Sequence, residues 1–123
     1  MLACRGIRGA TTTEENTDSA IYAATRELLS QLIEANQLTE ENVAAAYFTV
    51  TPDLNAAFPA AAARQLGWNS TALMCSTEIP VPGSLPQCIR IMVLYNTEKP
   101  QQEIVNIYLK GTESLRLQGV QSS

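Results

Sequence analysis

Apolar residues recur along the chain with two periods, and each period predicts one kind of secondary structure. Stretches enriched in β-branched and aromatic residues predict five strands, at residues 2–13, 43–50, 71–78, 89–95 and 104–109. Between the first two strands, side chains fall on one face at helical spacing, which predicts a long helix from a cap at Asn16 or Thr17 to near Asn36. This face comprises Ile21, Thr25, Leu28, Leu29, Leu32 and Ile33. A short helix is predicted at 58–66, before Gly67.

The order of these elements predicts the fold class. A β-α-β-α-β-β-β order in 123 residues indicates a single α+β domain spanning residues 1–123. We expect a mixed five-stranded sheet with one long and one short helix on one face. The other face of such a sheet has to be covered, which indicates an oligomer. From about residue 111 the composition predicts a mobile tail, apart from an apolar island at 115–117.

The loop between the third and fourth predicted strands is rich in proline and carries polar groups at both ends. It lies within C-S-T-E-I-P-V-P-G-S-L-P-Q-C-I-R, residues 75–90. If the two strands are neighbours, the thiol of Cys75, the carboxylate of Glu78 and the guanidinium of Arg90 face one another at one end of the sheet. This arrangement predicts either a polar binding pocket on a rigid scaffold or a structural ion pair that closes the loop.

Two arginines in the first predicted strand are three positions apart. Side chains at this spacing on a strand point to opposite faces, so Arg5 and Arg8 should do so. We expect one of them to be solvated and the other to point into a site or an interface, unless both are ordinary surface arginines.

The net charge and the counts of particular residue types exclude several classes of function. The net charge is −4, with no basic block and few aromatic residues, which argues against nucleic-acid binding. No apolar run is long enough to span a membrane, and the first residues do not form a signal peptide. Three scattered cysteines indicate a reducing compartment, so we expect a cytoplasmic protein. The sequence has no histidine, which excludes Ser-His-Asp and Cys-His catalysis and His-ligated metal sites.

Four motifs occur in a specific order. They are R-G-I-R-G-A-T-T at the start, T-P-D-L-N-A-A-F-P-A followed by an arginine, C-x-x-E with C-I-R after it, and I-V-N-I-Y-L near the end. In this order and at this spacing the chain resembles the AroH-class chorismate mutases, as far as about Arg116. The resemblance implies a homotrimer whose sheets form a pseudo-α/β barrel with sites at the subunit interfaces. It also implies chorismate as the substrate, with no cofactor and no metal.

The resemblance assigns a reaction and roles to residues. The reaction is the [3,3] rearrangement of chorismate to prephenate in aromatic amino-acid biosynthesis. Arg90 donates to the ether oxygen and to a carboxylate, and Glu78, with Cys75 nearby, holds the ring hydroxyl. Arg8 and Tyr108 bind the side-chain carboxylate region. The remaining implied substrate-binding residues are Phe58, Ala60 and Arg64 from the adjacent subunit, Met74 beside Cys75, and Leu115 and Arg116 in a closing tail. Two positions depart from the family: Ala61 stands where a lysine is frequent, and Met74 where a threonine is.

A pericyclic reaction suits a chain without histidine. It needs no nucleophile, base or metal, only a substrate held in its reactive conformer and positive charge beside the ether oxygen. Two other functions use the same residues: a trimer that binds a carboxylate metabolite without turnover, and a deaminase- or tautomerase-like trimer with Glu78 as acid and base. A hydrolase with Cys75 as nucleophile is disfavoured, because no histidine is present to activate the thiol.

Overall fold

The computed structural model describes residues 1–115, which form one five-stranded sheet and two α-helices. Neither helix is long and apolar enough to cross a membrane, and this holds for every helix in the described residues. The strands are β1 (Ala3–Thr12), β2 (Val43–Val50), β3 (Leu73–Thr77), β4 (Cys88–Thr97) and β5 (Ile107–Tyr108), and the helices are α1 (Asp18–Asn36) and α2 (Ala60–Gln65). Short 3-10 turns occupy Glu40–Asn42 and Gln101–Glu103, and residues 113–115 form a helical turn.

The sheet is mixed, with the strand order β3-β2-β4-β1-β5. β4 is antiparallel to both β1 and β2, whereas β2 pairs with β3, and β1 with β5, in parallel. The third and fourth strands, β3 and β4, are therefore not neighbours, because β2 lies between them. The pocket predicted at the ends of these strands assumed that they were adjacent, and that assumption is wrong. A parallel pair needs a crossover connection. The segment containing α2 supplies it, and so brings β3 to the edge of β2 that β4 does not occupy.

Both helices pack on the same face of the sheet, as the pattern predicts. Thr17 caps α1 by accepting a hydrogen bond from the backbone nitrogen of Ala20 at 3.1 Å, and the helix ends at Asn36. Along β4, alternate side chains are buried beneath the helices: Ile89, Ile91, Val93 and Tyr95. The intervening side chains, among them Arg90, lie on the face that α1 and α2 leave uncovered, here called the open face.

The fifth strand is shorter than the predicted 104–109, because two side-chain amides take the hydrogen bonds that a longer strand would use. Asn36 accepts from the nitrogen of Val105 at 2.8 Å and donates to its oxygen at 2.9 Å. Asn106 Oδ1 accepts from the backbone nitrogen of Arg8, also at 2.8 Å. Regular pairing with β1 is thus limited to Ile107–Tyr108.

The chain just beyond β5, residues 112–115, is packed against the sheet. Thr112 is fully buried, and its hydroxyl donates to the oxygen of Leu109 at 2.7 Å and lies 3.2 Å from that of Ala10. Leu115 is buried against Ala10 and Cys88. Thr112 thus ties this segment to β1, and Leu115 belongs to the predicted apolar island; the mobility predicted from about residue 111 stays a prediction. Residues 116 and 117 of the predicted island lie outside the described part of the chain.

Candidate active site

A cavity of about 500 Å³ opens on the open face of the sheet. Five of the residues predicted from the sequence line it, contributed by β1, β4, β5 and the segments that follow β3 and β5. They are Arg8, Glu78, Arg90, Tyr108 and Leu115. The cavity has a mixed wall in which two guanidinium groups and one carboxylate stand among apolar and aromatic side chains, as in sites that bind small molecules.

Strand register brings the two arginines of the cavity together. Arg8 on β1 lies opposite Met92 on β4, and Arg90 lies opposite Ala10, so the arginines are diagonal neighbours on one face. Arg5 points the other way and donates from Nε to the oxygen of Lys99 at 3.0 Å. The prediction that Arg5 and Arg8 diverge is confirmed, and Arg8 is the one that enters the cavity.

Glu78 and Arg90 form an ion pair although their strands are not adjacent. Arg90 Nε lies 3.1 Å from Glu78 Oε2. Neighbouring strands are about 4.8 Å apart, so β3 and β4 are separated by roughly twice that distance. Glu78 follows β3, and its backbone nitrogen donates a hydrogen bond to the backbone oxygen of Val50 at 2.8 Å. Its side chain crosses β2 to reach Arg90, and on the way it accepts a hydrogen bond from the hydroxyl of Thr49.

The solvent exposure of the Glu78–Arg90 ion pair indicates how much it contributes to folding stability. The side chain of Arg90 is 47% exposed and that of Glu78 is 22% exposed. A partly solvated ion pair stabilises a fold by only about 0–1 kcal/mol. The pair therefore adds little to folding, and it leaves the guanidinium open to the cavity.

Within one chain, the side chain of Cys75 lies on the opposite face of the sheet from the Glu78–Arg90 ion pair. Cys75 is opposite Phe48, which is fully buried on the helix side, so its side chain packs toward the core. Glu78 is three residues further on, and residues at that spacing along a strand face opposite ways. The expectation that the thiol faces Glu78 and Arg90 is wrong for that reason.

A second groove, of about 320 Å³, collects the remaining predicted residues that the structure describes. Arg64 and Ala60 are four residues apart on α2 and share one face of it. The groove is lined by Phe58, Ala60, Arg64, Leu73, Met74 and Cys75. The predicted site residues are therefore divided between two concave surfaces. Arg116 lies outside the described residues.

Five cavity residues were not anticipated from the sequence: Gly9, Ile91 and three residues whose side chains lie on the open face. Tyr47 and Thr49 on β2, and Met92 on β4, line the cavity beside Arg90. Each follows from strand alternation once β2 is known to pair with β4, because Tyr47 lies opposite Met92 and Thr49 opposite Arg90. Without that pairing, the sequence offers no signal that distinguishes these residues from others on the same strands.

Cys88, two residues before Arg90 on β4, carries a thiol that is not reactive at neutral pH. Burial raises the pKa of Cys88 to about 11, and the charge of Arg90 counteracts this only in part. The thiol is therefore protonated at neutral pH and is not a nucleophile there. Within residues 1–115, no three His, Cys, Asp or Glu side chains are grouped so that they could hold a metal ion.

Comparisons with known proteins agree on one class of enzyme. A family model described as Chorismate mutase type I matches residues 4–118. Chorismate mutase AroH of Thermus thermophilus is 52% identical over 113 residues, which cover 91% of this chain and 93% of the relative. Chorismate mutase AroH of Bacillus subtilis (strain 168) is 43% identical over 113 residues, covering 91% and 89% respectively. A solved chorismate mutase from Clostridium thermocellum is 52% identical, with a TM-score of 0.87, and the match covers 89% of this chain and 97% of that one.

These matches span the sheet, both helices and the cavity, and they define the class as an isomerase with a mixed α+β fold. The chain belongs to the chorismate mutase type I family. The family resemblance stated from the four sequence motifs is thereby confirmed.

Proposed function

We propose that this enzyme rearranges chorismate to prephenate in the cavity on the open face. The observation that carries the proposal is the convergence of Arg8, Arg90 and Glu78 in one partly apolar cavity. Chorismate is a dianion with a ring hydroxyl, so two guanidinium groups and one carboxylate acceptor match its charges and its donor. The place of this reaction in aromatic amino-acid biosynthesis follows from the family.

Catalysis would come from conformer selection and electrostatics. In the rearrangement the ether C–O bond breaks while a C–C bond forms, and electron density grows on the ether oxygen. A guanidinium held beside that oxygen favours the transition state over the bound substrate. Arg90 suits this role, because its planar fork can donate to the ether oxygen and to a carboxylate together. No proton needs to move.

The other cavity residues would hold the substrate in its compact form. Glu78 accepts from the ring hydroxyl, while Arg8 and Tyr108 bind the side-chain carboxylate. Leu115, buried in the cavity wall, shields the substrate from water. A residue that fixes the reactive conformer removes part of the entropic barrier. The closing role of Arg116 stays a prediction.

We further propose a homotrimer in which the second groove of one subunit completes the cavity of the next, within a pseudo-α/β barrel. Two observations support it. The groove and the cavity share no residue, although both carry predicted site residues. Large apolar side chains are also exposed around them, with Phe58 at 74%, Met74 at 60% and Tyr47 at 40%. Met74 and Cys75 then reach the site with Phe58, Ala60 and Arg64.

The cytoplasmic location predicted from the sequence is also part of this proposal. The three cysteines, Cys4, Cys75 and Cys88, are free thiols. Unpaired cysteines are usual in a reducing compartment.

The test is the loss of chorismate, followed optically with purified protein. We expect turnover well above the uncatalysed rate. Arg90→Ala should lower kcat/KM by at least about 10²–10³-fold, the scale for loss of one preorganised donor to developing charge. Arg26→Ala is the matched control, because Arg26 donates to Gln65 on the helix side at 2.5 Å and lines neither the cavity nor the groove. Absence of wild-type turnover would favour a binding protein, and a folded Arg90→Ala variant with normal turnover would remove Arg90 from the site.

A further inference from the structure

We propose that Thr49 is a positioning residue that orients the carboxylate of Glu78 for the substrate. The inference rests on the proposed function. The hydroxyl of Thr49 donates to Oε2 of Glu78, and this is the same oxygen that lies 3.1 Å from Nε of Arg90. One carboxylate oxygen thus serves two protein groups, while Oε1 takes no hydrogen bond from any described residue.

The sheet places Thr49 between the two members of the ion pair. On β2 it lies opposite Arg90 of β4 on one side and Ser76 of β3 on the other. It is half-buried and lines the cavity. Because β2 separates β3 from β4, the side chain of Glu78 has to pass over β2 to reach Arg90, and Thr49 is the residue it passes.

The hydroxyl of Thr49 controls a rotation that the backbone leaves free. The backbone nitrogen of Glu78 donates to the backbone oxygen of Val50 at 2.8 Å. This hydrogen bond fixes the main chain, but it leaves the terminal torsion of the Glu78 carboxylate free. That torsion is broad and roughly two-fold in glutamate. Without a second partner on Oε2, the carboxylate can turn to present both oxygens to Arg90, since arginine and carboxylate groups favour a two-bond fork.

A two-bond fork would occupy the groups that the reaction needs. It would take up Oε1, the free acceptor for the ring hydroxyl, together with a second nitrogen of Arg90. By engaging Oε2, Thr49 keeps the pair joined through one oxygen. The result is a carboxylate with one oxygen held by the protein and one presented to the substrate, as preorganised sites require.

The test compares Thr49→Val, which keeps the shape and removes the hydroxyl, with Thr49→Ser, which keeps the hydroxyl. We expect Thr49→Val to lower kcat/KM for chorismate by about 10-fold or more, as expected for loss of a hydrogen bond to a charged group. Thr49→Ser should stay within about 3-fold of the wild type, because its hydroxyl can still reach Oε2. Circular dichroism checks folding, and Thr49→Ala replaces Thr49→Val if the valine variant does not fold.

A double-mutant cycle separates positioning from a structural role. In a Glu78→Ala background, Thr49→Val should cost less than about 2-fold, since there is no carboxylate left to orient. The same cycle, measured as the Kd for prephenate by calorimetry, needs no turnover. An equal loss in both backgrounds, or a fully active Thr49→Val enzyme, overturns the role of Thr49 and leaves the proposed function intact. A wild-type protein without turnover overturns the proposed function, and this inference with it.

Discussion

At the scale of single residues, the buried thiol of Cys88 is a group whose pKa the fold clearly shifts. Cys88 is 2% exposed and precedes Arg90 by two residues on the same face of β4, beneath Leu115. Its burial raises the pKa to about 11 from an ordinary 9.0. The nearby charge of Arg90 lowers it and that of Glu78 raises it, both by less than burial does.

The shift of Cys88 predicts a loss of stability at alkaline pH. The unfolded chain releases this proton near pH 9.0, while the folded chain retains it until about pH 11. The contribution to the free energy of unfolding is therefore complete below pH 9.0 and is lost as the pH rises toward 11. Urea unfolding over this range should show a smaller fall for Cys88→Ala than for the wild type.

Cys4→Ala is the control for this experiment, because Cys4 is an exposed thiol on β1. Its stability should fall with pH as the wild type's does, since Cys88 is intact in this variant. If the curves for Cys88→Ala and Cys4→Ala run parallel from pH 9 to 11, Cys88 is not the group responsible.

At the scale of elements, the contact between α1 and β1 depends on one glycine. A Cβ atom on Gly9 would lie 2.9 Å from a methyl carbon of Leu32, 3.0 Å from one of Leu28 and 3.3 Å from the oxygen of Ile107. The leucines belong to the buried face of α1. Gly9 therefore allows the helix to approach the strand that carries Arg8 into the cavity.

Gly9→Ala should destabilise the protein by about 1–3 kcal/mol, the usual cost of adding a methyl group to a packed core. Gly6→Ala on the same strand is the matched control. Its Cβ would meet only the sulfur of Met92, at 3.4 Å, and that is the flexible part of a side chain. Urea unfolding of both variants measures the difference. Equal stability of the two would mean that α1 shifts away from β1 without cost.

At the scale of the whole molecule, the site residues form two separate surfaces. Arg90 belongs to the cavity and Arg64 to the groove. In the proposed trimer each site takes Arg90 from one subunit and Arg64 from its neighbour, so each substitution alone weakens all three sites. A mixed cyclic trimer of the two variants contains one interface at which both arginines are intact.

Co-refolding equal amounts of Arg64→Ala and Arg90→Ala should therefore restore roughly a quarter of the wild-type sites, because three-quarters of random trimers are mixed and each has one intact site of three. Native mass spectrometry confirms the exchange of subunits, and chorismate turnover measures the recovery. If subunits exchange and activity stays at the average of the parents, Arg64 and Arg90 do not meet across an interface.

Elements whose signals are local could be predicted from the sequence. The predicted α1 ends at Asn36, as observed, and β2 has its predicted bounds, Val43–Val50. Hydrophobic periodicity and a capping side chain lie within a few residues of the structure they specify, so they can be read directly. The four motifs likewise identified the family, because their order and spacing are properties of the chain alone.

Which residues those elements bring together depends on tertiary packing. The length of β5 depends on Asn36, which binds Val105 from 69 positions away. The meeting of Glu78 with Arg90 depends on β2 lying between their strands, and that order also placed Thr49 beside the pair and Cys75 on the opposite face. Strand order and side-chain hydrogen bonds between distant residues are set by packing of the whole sheet. Local patterns of polarity do not encode them.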